Sequence, residues 1–134
     1  MTDLKARARR IFAAFGTGDT SGLDEVVAED FVDHTLPPGL PAGREGLEQR
    51  VKLWATAFSG VEGEILAEIE DGDVVVVRSI LRGAHTGEFS GVPGSGRRFE
   101  VDGIDILRFE NGRAVEHWGL LDQMSLLMQL GAMG

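Results

Sequence analysis

Residues 102–119, DGIDILRFENGRAVEHWG, read as two strands folded on a tight turn at Asn111–Gly112, and they decide between a helical and a sheet-based second half. Ile104, Ile106, Leu107 and Phe109 supply apolar surface to the first strand, yet Asp105 sits among them. His117 occupies the second strand. If Asn111 and Gly112 form a two-residue turn, Glu110 pairs with Arg113 and Asp105 falls opposite Trp118. If the loop has three residues with Gly112 as a left-handed bulge, Asp105 faces His117 and Gly103 faces Gly119. The second register gathers the polar groups on one face beside two glycines that leave room for a ligand, and it is the one expected.

Working outward, the chain turns from helical to strand periodicity near its middle. Leu4, Ala8, Ile11, Phe12 and Phe15 recur at helical spacing, with Gly16 and Gly18 ending the run. Thr20 or Ser21 is placed to cap a short second helix that buries Leu23, Val26 and Val27. A short extended piece, DFVDHT, precedes LPPGLPAG, whose prolines and glycines forbid regular structure. A third helix is predicted over 44–58, with Leu47, Val51, Trp54 and Phe58 on one face. From Glu62 the period becomes two, and Asp71–Gly72 marks a hairpin. The strand VVVVRSILR, with its valine run, is expected to be covered on both faces. GEFSGVPGSG, 87–96, is a flexible connection and a candidate pocket rim, and DQMSLLMQL closes the chain as a short helix. Helices followed by antiparallel strands make an α+β domain.

Composition narrows the functions. At 134 residues, 43% of them hydrophobic, the chain suits one domain with a single sizeable core. Twenty-two acidic residues against 13 basic ones give a net charge of −9, which disfavours nucleic acid as a partner. Cysteine is absent, so disulfides, thiolate nucleophiles and cysteine-bound metals are excluded. No apolar run approaches the roughly 20 residues that cross a bilayer, and the start lacks a signal-peptide pattern, so a cytoplasmic protein is the default expectation.

The chemistry-bearing residues are few. His34, His85 and His117 are the three histidines, none in HExxH spacing, so a metal site would need ligands from distant segments. There is no GxSxG elbow, and GVPGSG lacks the lysine and helix of a phosphate loop. Asp33, in FVDH, and Asp105 remain. Each has apolar neighbours, where a partly desolvated carboxyl gains a raised pKa suited to acid–base work. The plainer alternative is pairing with an arginine such as Arg108 or Arg113. His117 is the expected partner of Asp105, orienting it or sharing a proton. Asp122 is read as the N-cap of the last helix. His85 is placed either to touch a ligand at the pocket mouth or to hold the 87–96 loop. Phe15 and Trp54 are read first as core, though large aromatics line a pocket as well as fill one.

The stretches FVDH, GAHTGEFSGVP, GRRFEVDGIDILRFENGRAVEHW and LLDQMSLLMQLG, with the opening FAAFGTGD, resemble the SnoaL-like polyketide cyclase, or ester cyclase, group of the NTF2-like superfamily. The likeness spans nearly the whole chain, 1–134, as one domain. It implies an NTF2-like α+β cone, in which a curved antiparallel sheet is wrapped by three N-terminal helices around an apolar pocket. It also implies no metal or organic cofactor, an apolar small-molecule substrate, and a homo-oligomer, either dimer or tetramer. In characterised anthracycline cyclases of this group an Asp near the end of the last strand is the acid–base for aldol ring closure, assisted by a His and an Asn. The resemblance lays Gly119 at the position of that Asp, Asp105 at the His and Asp33 at the Asn, so the usual acid–base is missing.

Two classes of function follow. One is a cyclase closing a ring on an oxygenated, polyketide-type substrate through carbon or oxygen, with Asp105, Asp33 and His117 as catalytic residues. Phe15, His34, Trp54, His85, Phe89 and Gly119 are then the substrate contacts, and epoxide hydrolysis is the nearest variant. The other is a non-catalytic binding or accessory protein of the same fold.

Overall fold

The computed structural model describes residues 3–132. Helix α1 spans Leu4–Thr17; Asp3 caps it by accepting from the Ala6 amide, and Gly18 ends it in the left-handed region, at φ 74°. Gly16 lies inside the helix, so only Gly18 stops it. A single 3-10 turn, Leu23–Glu25, replaces the expected second helix. Its N-cap is Gly22, at φ 83°, and neither Thr20 nor Ser21 caps it with a side chain. Strand β1 covers Val27–Asp33, and α2 covers Arg44–Ala57.

The remaining strands are β2, Phe58–Asp71; β3, Val74–His85; β4, Arg98–Glu110; and β5, Arg113–Leu121. The sheet order is β1-β5-β4-β3-β2. Its last four strands form antiparallel pairs, as expected, but β1 lies parallel to β5. The sheet is therefore mixed, because the chain passes through α2 and three further strands before β5 pairs with β1. Asp71 pairs with Val74, so the β2–β3 turn residues are Gly72 and Asp73, with Gly72 at φ 61°. Helix α3, Gln123–Gln129, begins at Asp122, whose carboxylate accepts from the Ser125 amide, as its sequence position predicts.

The inner face of the sheet meets α1 and α2. On β3, Val75 and Val77 are buried while Val74 and Val76 are only half-buried, so the valine run is covered on one face rather than two. On β4 the inward row is Phe99, Val101, Gly103, Asp105, Leu107 and Phe109, while Ile104 and Ile106 point to the other face. The core divides in two. One cluster joins Ala8, Ile11, Val27, Phe31 and Val51 to Val77 and Leu107. The other gathers Phe58, Phe99, Val101 and Leu126, with Trp54 and Phe89 packed against them.

Neither hairpin register read from the sequence is the one formed. Glu110 does pair with Arg113, and Asn111 and Gly112 both take positive φ, 52° and 78°, as a two-residue type I′ turn requires. Arg108 then pairs with Glu116 and Phe109 with Ala114, leaving Val115 as an extra residue in β5. Asp105 consequently lies opposite Gly119, and Gly103 opposite Leu121. The bulge reverses the alternation of β5, so Ala114 and His117 both face inward although they are three residues apart. Without it His117 would point away from the cavity.

Candidate active site

An apolar cleft lies between the helices and the inner face of the sheet. Phe12 and Phe15 of α1 and Leu47 and Trp54 of α2 form one wall. Val77, Leu81, Leu107 and Leu121 form the other. Asp105, His117 and Gly119 interrupt this greasy surface on adjacent strands.

The three form part of one hydrogen-bonded chain. His117 Nε2 stands 2.7 Å from Asp105 Oδ1, its diagonal neighbour on β4, and Nδ1 stands 3.0 Å from Asp33 Oδ1 on β1. Asp33 is aligned with His117 by the parallel β1–β5 pairing. Its Oδ1 also accepts from the amide and hydroxyl of Thr35, at 2.9 and 3.0 Å, and Arg50 donates to Oδ2 at 3.3 Å. Thr35 Oγ1 in turn accepts from the Gly119 amide at 2.9 Å. The network thus ties β1, α2, β4 and β5 around one imidazole.

Its electrostatics favour the charged ring. Burial of His117 works against the proton, but the hydrogen bonds and negative charges of Asp105 and Asp33 outweigh it and hold the imidazole pKa up at about 9. Burial of Asp33 likewise opposes its charge, and the bond and charge of His117, the Thr35 amide and Arg50 overcome it, lowering the carboxyl to about 2. His117 at neutral pH is an imidazolium donating from both nitrogens. Exposure separates the two carboxylates. The Asp33 side chain is 5% exposed and that of Asp105 is 32% exposed, so Asp105 is the one a ligand can touch.

Gly119 is part of this geometry. A Cβ at that position would lie 2.7 Å from His117 Cε1 and 2.9 Å from Asp105 Oδ1, closer than side-chain atoms approach. The imidazole–carboxylate contact occupies the space a side chain at 119 would need.

Of the residues expected from the sequence, Phe15, Trp54, Asp105, His117 and Gly119 line the cleft, and Asp33 supports it from behind. His34, His85 and Phe89 do not line it. His34 lies on the outer side, bonded to Glu116 at 2.9 Å and stacked on Trp118 with ring centres 4.7 Å apart. Adjacent strand residues point to opposite faces, which separates His34 from Asp33. His85 is wholly buried; its Nδ1 bonds to Ser95, and its ring packs on Phe58. It fastens the 87–96 loop, and none of that loop lines the cleft, so the expected pocket rim is not formed there. Phe89 packs against Trp54 and Phe58. Asp105 pairs with neither Arg108 nor Arg113; Arg108 binds Glu110 and Glu116 on the other face.

Sequence reasoning passed over Arg50 and Thr35. Arg50 sits three residues after Leu47 and four before Trp54, inside the apolar stripe of α2, where a lone arginine signals a buried anionic partner. The Asp33–His34–Thr35 order is that of an Asx-type turn, which the Thr35-to-Asp33 bonds form.

A helix-wrapped, curved sheet with an apolar cleft and an acid–imidazole–acid chain defines the class as an NTF2-like α+β cone. The family model described as SnoaL-like polyketide cyclase matches residues 6–130. Nogalonic acid methyl ester cyclase of Streptomyces nogalater is 32% identical over 123 residues, covering 89% of this chain and 90% of that protein. Aklanonic acid methyl ester cyclase of Streptomyces peucetius is 30% identical over 128 residues, covering 92% and 87%. The solved structure of TsrD from Streptomyces laurentii matches with a TM-score of 0.85 at 30% identity, covering 96% of this chain and 97% of that one. The chain belongs to the SnoaL-like polyketide cyclase family. No helix among the described residues is long and apolar enough to cross a membrane.

Proposed function

We propose that the protein is a cofactor-independent cyclase that closes a carbon ring by intramolecular aldol addition on an apolar, oxygenated polyketide-type ester. Asp105 acts as the acid–base in place of the side chain missing at 119. The observation that carries this reading is the pairing of His117 with both Asp33 and Asp105, of which only Asp105 opens on the apolar cleft. Replacing buried ionic groups by apolar residues is often neutral or stabilising, so such a chain has little reason to exist for stability alone.

The steps need no outside reactant. The cleft holds the flexible substrate folded, with the acidic carbon near the ketone it will attack, and this positioning removes part of the barrier. The Asp105 carboxylate takes the proton from that carbon, and the carbon–carbon bond forms. The resulting alkoxide oxygen then recovers the proton from Asp105, so the product is an isomer of the substrate. His117 and Asp33 are positioning residues: they fix the Asp105 rotamer and keep a positive charge beside it. The same carboxylate would serve oxygen-ring formation or epoxide opening on a substrate bearing those groups, and an ether or diol product would identify that chemistry.

The exposed apolar side chains Val32, Ile104 and Trp118 on the outer sheet face support assembly into a homo-oligomer, and the small-molecule chemistry suits a cytoplasmic enzyme. The function is tested by incubating nogalonic and aklanonic acid methyl esters with the wild type, Asp105→Asn and Asp33→Asn, and following ring formation. Ring closure by the wild type and its loss in Asp105→Asn is the expected result. Cyclisation unaffected by both substitutions would rule out carboxylate catalysis, and ligand binding without turnover in the wild type would favour a carrier.

A further inference from the structure

One polar group on the cleft wall is not used by the chemistry above. Ser79 is only 1% exposed, lines the cleft, and its hydroxyl has no hydrogen-bond partner. An unpartnered buried hydroxyl is destabilising, so a protein that keeps one is expected to satisfy it in another state. Ser79 pairs with Gly103, which has no side chain to bond it, and a Cβ at 103 would stand 3.5 Å from Ser79 Oγ. The next inward pair along the same two strands is Val77 with Asp105. Ser79 and Asp105 are therefore diagonal neighbours on one face, about 7–8 Å apart in backbone position.

We propose that Ser79 is a substrate-anchoring residue whose hydroxyl donates a hydrogen bond to a carbonyl oxygen of the ligand, one strand diagonal from Asp105. The ligand class is a cyclic or aromatic ketone, or an ester, carrying an acceptor oxygen remote from the carbon that loses its proton. Asp105 in its charged form offers no proton to a carbonyl, and both N–H groups of His117 are already engaged, so Ser79 divides the labour with them. The anchor selects which oxygenated carbon is presented to the carboxylate. Trp54, whose indole N–H is also buried without a partner on the same cleft, is a second donor for the same class of ligand.

This deepens the cyclase reading and rests on the cleft being its substrate site, but it can be tested apart from turnover. α-Tetralone and tetralin, a bicyclic ketone and its parent hydrocarbon, are titrated into the wild type, Ser79→Ala and Gly103→Ala, with binding followed by calorimetry. Ser79→Ala is expected to weaken tetralone about five- to tenfold while leaving tetralin unchanged, and Gly103→Ala, which puts a methyl against the hydroxyl, to act in the same direction. Ser79→Ala should also melt no lower than the wild type, because it removes an unsatisfied buried group. Failure of tetralone to bind the wild type, equal binding of it by wild type and Ser79→Ala, or a marked loss of stability in Ser79→Ala would overturn the proposal. Loss of the Ser79 effect with Asp105-dependent turnover intact would sink the anchor alone; turnover indifferent to Asp105 with the Ser79 effect intact would sink the cyclase reading alone.

Discussion

His117 and His85 are both buried on the inner face of one sheet, toward the ends of neighbouring parts of the core, and they do opposite things. His117 is held between two carboxylates beside an apolar cleft and carries a charge at neutral pH. His85 is set among Phe58 and its aromatic neighbours, and Ser95 is its hydrogen-bonding partner. The Ser95 amide donates to its Nδ1, and its Nε2 finds no partner. The difference lies in what the strand register sets alongside each ring. Carboxylates from β1 and β4 converge on His117 because a bulge at Val115 turns it inward; a loop returns to His85 and makes it a clasp.

The comparison breaks most sharply at Asp105. Asp105→Asn keeps the shape of the side chain but removes the base, and ring closure should slow by roughly 10²–10⁴-fold with the fold retained by circular dichroism. The matched change on the other side is His85→Ala. It should cost about 2–3 kcal/mol in denaturant unfolding, through lost packing and a freed loop, while turnover per folded molecule stays near wild type.

A subtler probe is Gly119→Ala. The added methyl would crowd His117 Cε1 and Asp105 Oδ1 at 2.7 and 2.9 Å, so stability should fall by about 1–3 kcal/mol with turnover falling alongside it. Gly119→Asp should likewise not raise activity, because its side chain must displace the contact already there.

The His117 network also makes stability follow pH. The folded pKa of His117, about 9, lies above its ordinary 6.5, so its stabilising contribution is complete below pH 6.5 and drains away as pH rises to about 9. Asp33 works in the opposite sense: its contribution is present above about pH 3.8 and is lost as pH falls toward 2. Urea unfolding at a series of pH values should show both slopes in the wild type, and Asp33→Asn should abolish the acid one and weaken the alkaline one.

Much of this was legible in the sequence. The period of two through FEVDGIDILRF puts Asp105 on the row of Phe99, Val101, Leu107 and Phe109, and the helical stripe of Leu47, Val51 and Trp54 gives the opposite wall. The meeting of Asp105 and His117 was also foreseen, though for a different reason. A direct pairing and the diagonal pairing observed both put the two on one face, since each shifts by an even number of residues. The bulge that decides between them has no local signature, because Val115 is an ordinary strand residue and the extra position is fixed by how β5 meets β1 and β4 together. Long-range packing of the same kind hid the roles of His85 and Phe89, whereas the outward turn of His34 follows from the alternation of an extended chain beside Asp33. Arg50 could have been found, standing as it does on an otherwise apolar helix face.

The direct measurement is of the His117 ring itself, by ¹⁵N resonances of the imidazole nitrogens across a pH titration. Protons on both nitrogens through neutral pH, with one of the two released near pH 9 to leave a neutral ring, are what an imidazolium held between Asp33 and Asp105 predicts. A bare ring nitrogen at pH 7 would contradict it, and with it the claim that Asp105 works beside a fixed positive charge.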